Sequence, residues 1–102
     1  MYNITEHSKK RLEFLNKKLD TNKIKIKIST NKNKKIDVFI DNNVKISSIG
    51  SIGYSDFGSY MDTHGKDYAE TRKRLYYQRH KNEDDIKDGK ISNSWWARYL
   101  LW

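Results

Sequence analysis

Three histidines, His7, His64 and His80, are the side chains best suited to acid–base or metal chemistry near neutral pH. His64 belongs to Asp62-Thr63-His64, with Asp67 following and Asp56 close by, so imidazole and carboxylate ligands gather in one stretch. A metal site needs three or four converging ligands, and this spacing matches no zinc pattern. No metal and no cofactor is expected. The chain has no cysteine, which excludes disulfides, thiolate metal sites and a thiol nucleophile. None of its serines sits in a nucleophile elbow. Tyr54, Tyr60, Arg72, His80 and Glu83 are the right residue types for metal-assisted phosphodiester cleavage, yet they form no motif. A small metal-dependent nuclease therefore stands as an alternative, and the primary expectation is a protein with no catalytic residues.

Glycines at Gly50, Gly53 and Gly58 punctuate the middle of the chain. Glycine-rich loops cradle phosphate when they open a helix after a strand. Here the spacing is not the dinucleotide fingerprint and no Lys-Ser/Thr follows. A tight change of direction from sheet to helix is the expected role.

Electrostatics carry more information than motifs. The net charge is +8 over 102 residues, and the pI is near 9.6. Residues 1–55 hold twelve Lys or Arg against five Asp or Glu, whereas residues 56–102 hold nine against eight. Such a field favours polyanionic partners. An AT-rich genome, which favours Lys and Asn codons, is the competing source of the charge. It does not explain the arginines, four of which (Arg72, Arg74, Arg79, Arg98) fall in the second half. No apolar run is long enough to span a membrane. The opening Met1-Tyr2-Asn3-Ile4-Thr5-Glu6 lacks a signal-peptide pattern. The expected location is a cytoplasm, or a particle packaged from one.

The elements follow from periodicity. Residues 5–19 read as a helix with Thr5 as cap, Glu6 in its first turn and Leu12, Leu15 and Leu19 on one stripe. Residues 23–29 alternate Lys and Ile, the period of a half-buried strand. Ile36 to Ile40 returns as a second strand, Asp41-Asn42-Asn43 forms the hairpin loop, and Val44 to Ile49 makes a third. The inward positions are Ile24, Ile26, Ile28, Ile36, Val38, Ile40, Val44 and Ile46. A short helix over 56–63 is capped by Ser55 or Asp56. A longer one covers 66–81, with Tyr68, Ala69, Arg72, Leu75, Tyr76 and Arg79 on its packing face and Lys73 and Arg74 opposite. An arginine on a packing face usually lays its stem on rings and sends its head to a carboxylate or carbonyl. Residues 82–89 read as an acidic loop. A final helix starts at Ser92/Asn93/Ser94 and carries Trp95, Tyr99 and Trp102 in line. The fold class is α+β in one small domain: an N-terminal helix, a three-stranded antiparallel sheet, then two or three short C-terminal helices packed on one sheet face.

Candidate phosphate contacts are the cations on presumed solvent faces: Lys9, Lys10 and Arg11 of the first helix, Lys23, Lys25 and Lys27 of the first strand, and Lys73 and Arg74 of the long helix. The expected partner is DNA or RNA, met through its backbone. Edge-protecting lysines are the structural alternative for the strand. The other functional alternative is a protein-interaction module. It would use the Trp/Tyr/Arg surface, since these residues dominate interface hot spots.

All three tryptophans lie in Trp95-Trp96-Ala97-Arg98-Tyr99-Leu100-Leu101-Trp102. With little aliphatic material elsewhere, these rings are expected to close the core. Together with Gly53-Tyr54-Ser55-Asp56-Phe57 and with Arg72-Lys73-Arg74-Leu75-Tyr76 through Arg79-His80-Lys81, this segment carries a resemblance. Over residues 35–49 and 53–102 the chain resembles a family of short proteins of tailed bacteriophages, crAss-like phages among them, and of large DNA viruses. That family shows a β-hairpin, a Gly-Tyr-Ser-Asp-Phe/Tyr element, a basic helix ending Arg-His, and an aromatic close ending Leu-Leu-Trp or Ile-Leu-Trp. Relatives often carry glycine where this chain has Ser92-Asn93-Ser94, and the lysine-rich first helix lies outside the pattern. The resemblance implies a virus-encoded protein of the host cytoplasm or virion, so that the interaction module would be a virion component or an inhibitor of a host factor, and it brings no assigned activity.

Overall fold

The computed structural model describes residues 2–21, 23–41 and 43–102. Thr5 caps helix α1 (Glu6–Lys18): its Oγ1 accepts from the Ser8 amide at 3.2 Å. The helix ends where Asp20 turns to φ +51° and the Thr21 amide donates back to the Asn16 carbonyl at 2.8 Å. This left-handed stop satisfies carbonyls that the helix end would otherwise orphan. The Asn16 side chain then grips Ile24, donating to its carbonyl and accepting from its amide, both at 3.1 Å. One side chain thereby sets the path from helix to sheet.

Strands β1 (Lys25–Ile28), β2 (Lys34–Ile40) and β3 (Val44–Ser51) form an antiparallel sheet in that order. Asp41 and Asn43 of the β2–β3 turn both take positive φ, as the loop reading requires, while Asn42 lies outside the described residues. Helices α2 (Phe57–His64) and α3 (Lys66–His80) follow, then β4 (Ile86–Lys87), β5 (Lys90–Ile91) and α4 (Asn93–Leu101). The fold is α+β, as the periodicities predict.

Two expectations need correction. Of the eight inward positions, Ile24, Ile36 and Val38 are buried and Ile26 and Ile40 are partly so, but Ile28, Val44 and Ile46 are exposed. A bulge is the main reason. Val38 pairs with Ser47 and Phe39 with Lys45, which leaves Ile46 unpaired and turns the alternation of β3 over. Ser47 and Ile49 take the buried positions instead. Ile28 and Val44 sit at strand ends. The second correction concerns the acidic connector. It carries a small hairpin, β4 against β5, turned by Asp88 and Gly89 at positive φ. Arg98 ties this hairpin to α4 through Asp85 at 3.1 Å.

α4 packs on β3 and on α1, and α2 pairs with α3. The core joins Leu15, Ile24, Ile36, Val38, Ile49, Phe57, Ala69 and Tyr76 to Trp96, Leu100, Leu101 and Trp102. Gly50 is needed for this closure. It has φ +77°, and a Cβ there would meet Leu101 Cδ1 at 2.8 Å. Gly58 allows α2 to touch the first helix's cap, since a Cβ there would fall within the Thr5 side chain. Among the described residues no helix is long and apolar enough to cross a membrane.

Candidate nucleic-acid interface

The eight cations singled out from sequence lie on α1, on β1 and the residue that leads into it, and on α3. Lys25 and Lys27 project from the outer sheet face, where Lys25 pairs with Phe39 and Lys27 lies 5.4 Å from the Phe39 ring. Lys45 joins them across β2, opposite Phe39. Lys23 precedes the strand and pairs with Asp41 at 3.5 Å. Lys9 is exposed and pairs with Glu6, while Lys10 is exposed with no carboxylate partner among the described residues. Arg74 is likewise exposed and without such a partner. Lys73 is less free than its wheel position implies, because its ammonium lies over the Phe57 and Tyr77 rings.

Arg11 is the clearest departure. Its Nε donates to the Tyr99 carbonyl at 2.9 Å, and its guanidinium lies 4.6 Å from the Phe14 ring. Buried Ser8 donates to the Leu100 carbonyl at 2.7 Å. Helix ends leave carbonyls without intrahelical partners. Here α1 supplies those partners to α4. Arg11 is therefore a capping cation, with its positive charge at the negative end of the α4 dipole.

His7 extends the same seam. It packs on Phe57 with ring centroids 4.4 Å apart and meets the Trp102 carbonyl through Nε2 at 3.3 Å. Burial holds its pKa below the ordinary histidine value, and Arg11 and Lys73 push the same way against the Trp102 carbonyl. The unfolded chain then takes up this proton more readily than the folded one. Stability should fall as pH drops through the ordinary histidine range near about 6.5. Denaturant titrations at several pH values should show this loss, and His7→Phe should remove it. The same slope in His7→Phe would assign the effect elsewhere.

Beneath the sheet lysines sits Asp37, almost fully buried. Burial alone would raise its pKa. Hydrogen bonds from Ser29 Oγ, Ser48 Oγ and the Thr30 amide, with Lys45 at 3.9 Å, overcome that and hold it low. Asp37 thus neutralises part of the lysine face from below, leaving Lys25 and Lys27 without a carboxylate partner among the described residues.

A second basic region lies between β2 and α3. A cleft of about 450 Å³ is floored by a column of rings. Tyr60 lies 6.2 Å from Trp102, Trp102 stacks on Tyr76 at 4.4 Å, and Tyr76 meets His80 at 4.3 Å. Burial, aided by Glu83, pushes the pKa of the Tyr76 hydroxyl up to about 12. Arg72 lies 5.4 Å from the Tyr60 ring, and Arg79 follows two helical turns later. Neither guanidinium has a carboxylate within ion-pair distance among the described residues, so of the expected carboxylate or carbonyl anchor the carboxylate is not found. The two carboxylates of the cleft are otherwise engaged. Glu83 accepts from Ser94 Oγ and from His80 Nδ1, which hold its pKa low against burial. Asp56 forms a buried pair with Lys35 at 3.0 Å. It also accepts from Tyr2 Oη at 2.8 Å and from the Ser59 amide at 2.9 Å, capping α2. Burial opposes the charged form of Asp56, but Lys35 and these hydrogen bonds outweigh it and its pKa is lowered.

Tyr54, Tyr60, Arg72, His80 and Glu83 all line this cleft. Their residue types are legible in sequence, but their convergence is not. Lys34 also lines it and carries no sequence signal beyond its charge. Among the described residues no three His, Asp or Glu side chains come together as a metal site. Trp96 and Trp102 belong to the core, and Trp95 is half-buried against Trp96 and Tyr99. Two of the three tryptophans are thus taken up by the core, and Trp95 alone keeps part of its ring at the surface. No protein-family model, curated protein or solved structure matches the chain.

Proposed function

We propose that this is a non-enzymatic nucleic-acid-binding protein that meets the phosphate backbone. The observation that carries the reading is that four of the eight candidate cations, Lys10, Lys25, Lys27 and Arg74, are exposed without carboxylate partners among the described residues. Lys9 and Lys23 instead form exposed ion pairs with Glu6 and Asp41, and Lys35 is held inside by Asp56. Counterion release on phosphate contact then supplies affinity without base recognition. The resemblance to phage and large-DNA-virus proteins belongs to the same proposal, with a place in the host cytoplasm or the virion.

Affinity should fall linearly on a log–log salt plot, by about 0.7–0.9 per phosphate neutralised. Lys25→Gln with Lys27→Gln should lower that slope by about 2 without unfolding the chain. A flat slope for the parent protein would sink the reading. The convergence of Tyr54, Tyr60, Arg72, His80 and Glu83 favours the nuclease as a second reading. Plasmid cleavage that depends on added Mg²⁺ and disappears in His80→Ala would replace the first with the second.

A further inference from the structure

We infer that the cleft between β2 and α3 takes a single strand of nucleic acid, with one unpaired base stacked on Tyr54 and the backbone held by Lys34, Arg72 and Arg79. The inference rests on the nucleic-acid reading and gives it a substrate class. A second cleft of about 650 Å³ adjoins the first, and the two share Lys34, Lys35, Tyr54 and Ser55. They make one groove with Tyr54 at the junction. That ring is 77% exposed although the neighbouring Asp56 and Phe57 are buried, so the fold holds an anchored tyrosine out in solvent. Lys32 extends the basic wall into the second cleft, beside exposed Ile28 and Ile52.

Charge and shape select the strand. Lys32, Lys34, Arg72 and Arg79 have no carboxylate within ion-pair distance among the described residues, so they outnumber Asp56, which is paired with Lys35, and Glu83, which is hydrogen-bonded to Ser94 and His80. The groove therefore carries surplus positive charge where a backbone would run. Arg72 and Arg79 share one face of α3, roughly 10 Å apart along its axis, so they can follow a strand rather than grip one group. A duplex keeps its base faces stacked inside and offers none to a tyrosine. An unpaired base offers both, and a positively charged groove with an exposed ring is the pattern of sequence-tolerant single-strand binding.

Fluorescence anisotropy with labelled oligothymidine and oligouridine of about 12 nucleotides, against a hairpin duplex of equal length, tests this. Both single strands should bind about tenfold tighter than the duplex, and Tyr54→Ala should erase most of that preference while Tyr54→Phe keeps it. Arg72→Gln and Arg79→Gln should each lower the single-strand salt slope by about 1. Circular dichroism checks that each variant is folded, and Tyr54 is exposed enough for its loss to leave the core intact. Duplex binding as tight as single-strand binding, or a Tyr54→Ala protein with unchanged preference, overturns the inference and leaves backbone binding in place. No binding to either probe overturns both.

Discussion

A chain ending at Ser94 should lose cooperative folding altogether. The missing segment carries Trp96, Leu100, Leu101 and Trp102, all nearly inaccessible to solvent. Truncating a buried tryptophan costs about 3–5 kcal/mol and a buried leucine about 2–5 kcal/mol. Their combined loss, about 10–20 kcal/mol, matches or exceeds the total stability of about 5–15 kcal/mol typical of a domain. The deletion also removes the carbonyls that accept from Ser8 and Arg11, which leaves the Ser8 hydroxyl without its partner. Far-ultraviolet dichroism should show no sigmoidal thermal transition. A truncated protein that melts sharply near the parent temperature would show that the first helix and sheet hold a core without α4.

Asp56→Ala should produce the next largest change, a destabilisation of about 3–5 kcal/mol, because it strands the buried Lys35 ammonium. Loss of the α2 cap contributes about 1 kcal/mol. The contrast that identifies the cause is Asp56→Asn made together with Lys35→Met. Asparagine keeps the cap and methionine removes the orphan charge. The pair should therefore recover at least about 2 kcal/mol relative to Asp56→Ala in urea titrations. A single alanine variant that loses less than about 1 kcal/mol would show that Lys35 escapes to solvent when its partner is gone. The same substitution reaches the groove, since Asp56 anchors the segment that presents Tyr54.

The parts of this fold that were legible in sequence are those fixed by short-range chemistry. Thr5 and Ser92 mark helix starts because a hydroxyl reaches an amide three residues on. The Lys/Ile alternation marks β1 because its period is 2. What stayed hidden depends on partners far away in the chain. The bulge opposite Val38 and Phe39 is a property of pairing, and it alone decides that Ile49, not Ile46, is buried. Arg11 reads as a surface cation until a carbonyl 88 residues away meets it. Lys35 is one lysine among several, and only the fold brings it to Asp56. The Asp88-Gly89 turn is different, because its residue pair signals a hairpin directly. Its flanking strands of two residues each are too short to show a period. The cleft combines both cases: its chemistry is readable as residue types, and its geometry waits on the α2–α3 pairing and the ring of Trp102.

The contacts of Ser8 and Arg11 with the Leu100 and Tyr99 carbonyls span 92 and 88 residues of chain. Closing such long loops makes folding late as well as slow. At roughly 5–20 residues per second, a ribosome needs several seconds to pass from the end of β3 to the end of α4. During that interval Ile36, Val38 and Ile49 lack the helix that covers them. A half-made sheet in that condition is a template for pairing with its neighbours on the same message. Lysines at every second position of its edge strand keep such nascent sheets apart. The charge proposed to meet a polyanion in the finished protein thus also protects the chain before it is finished.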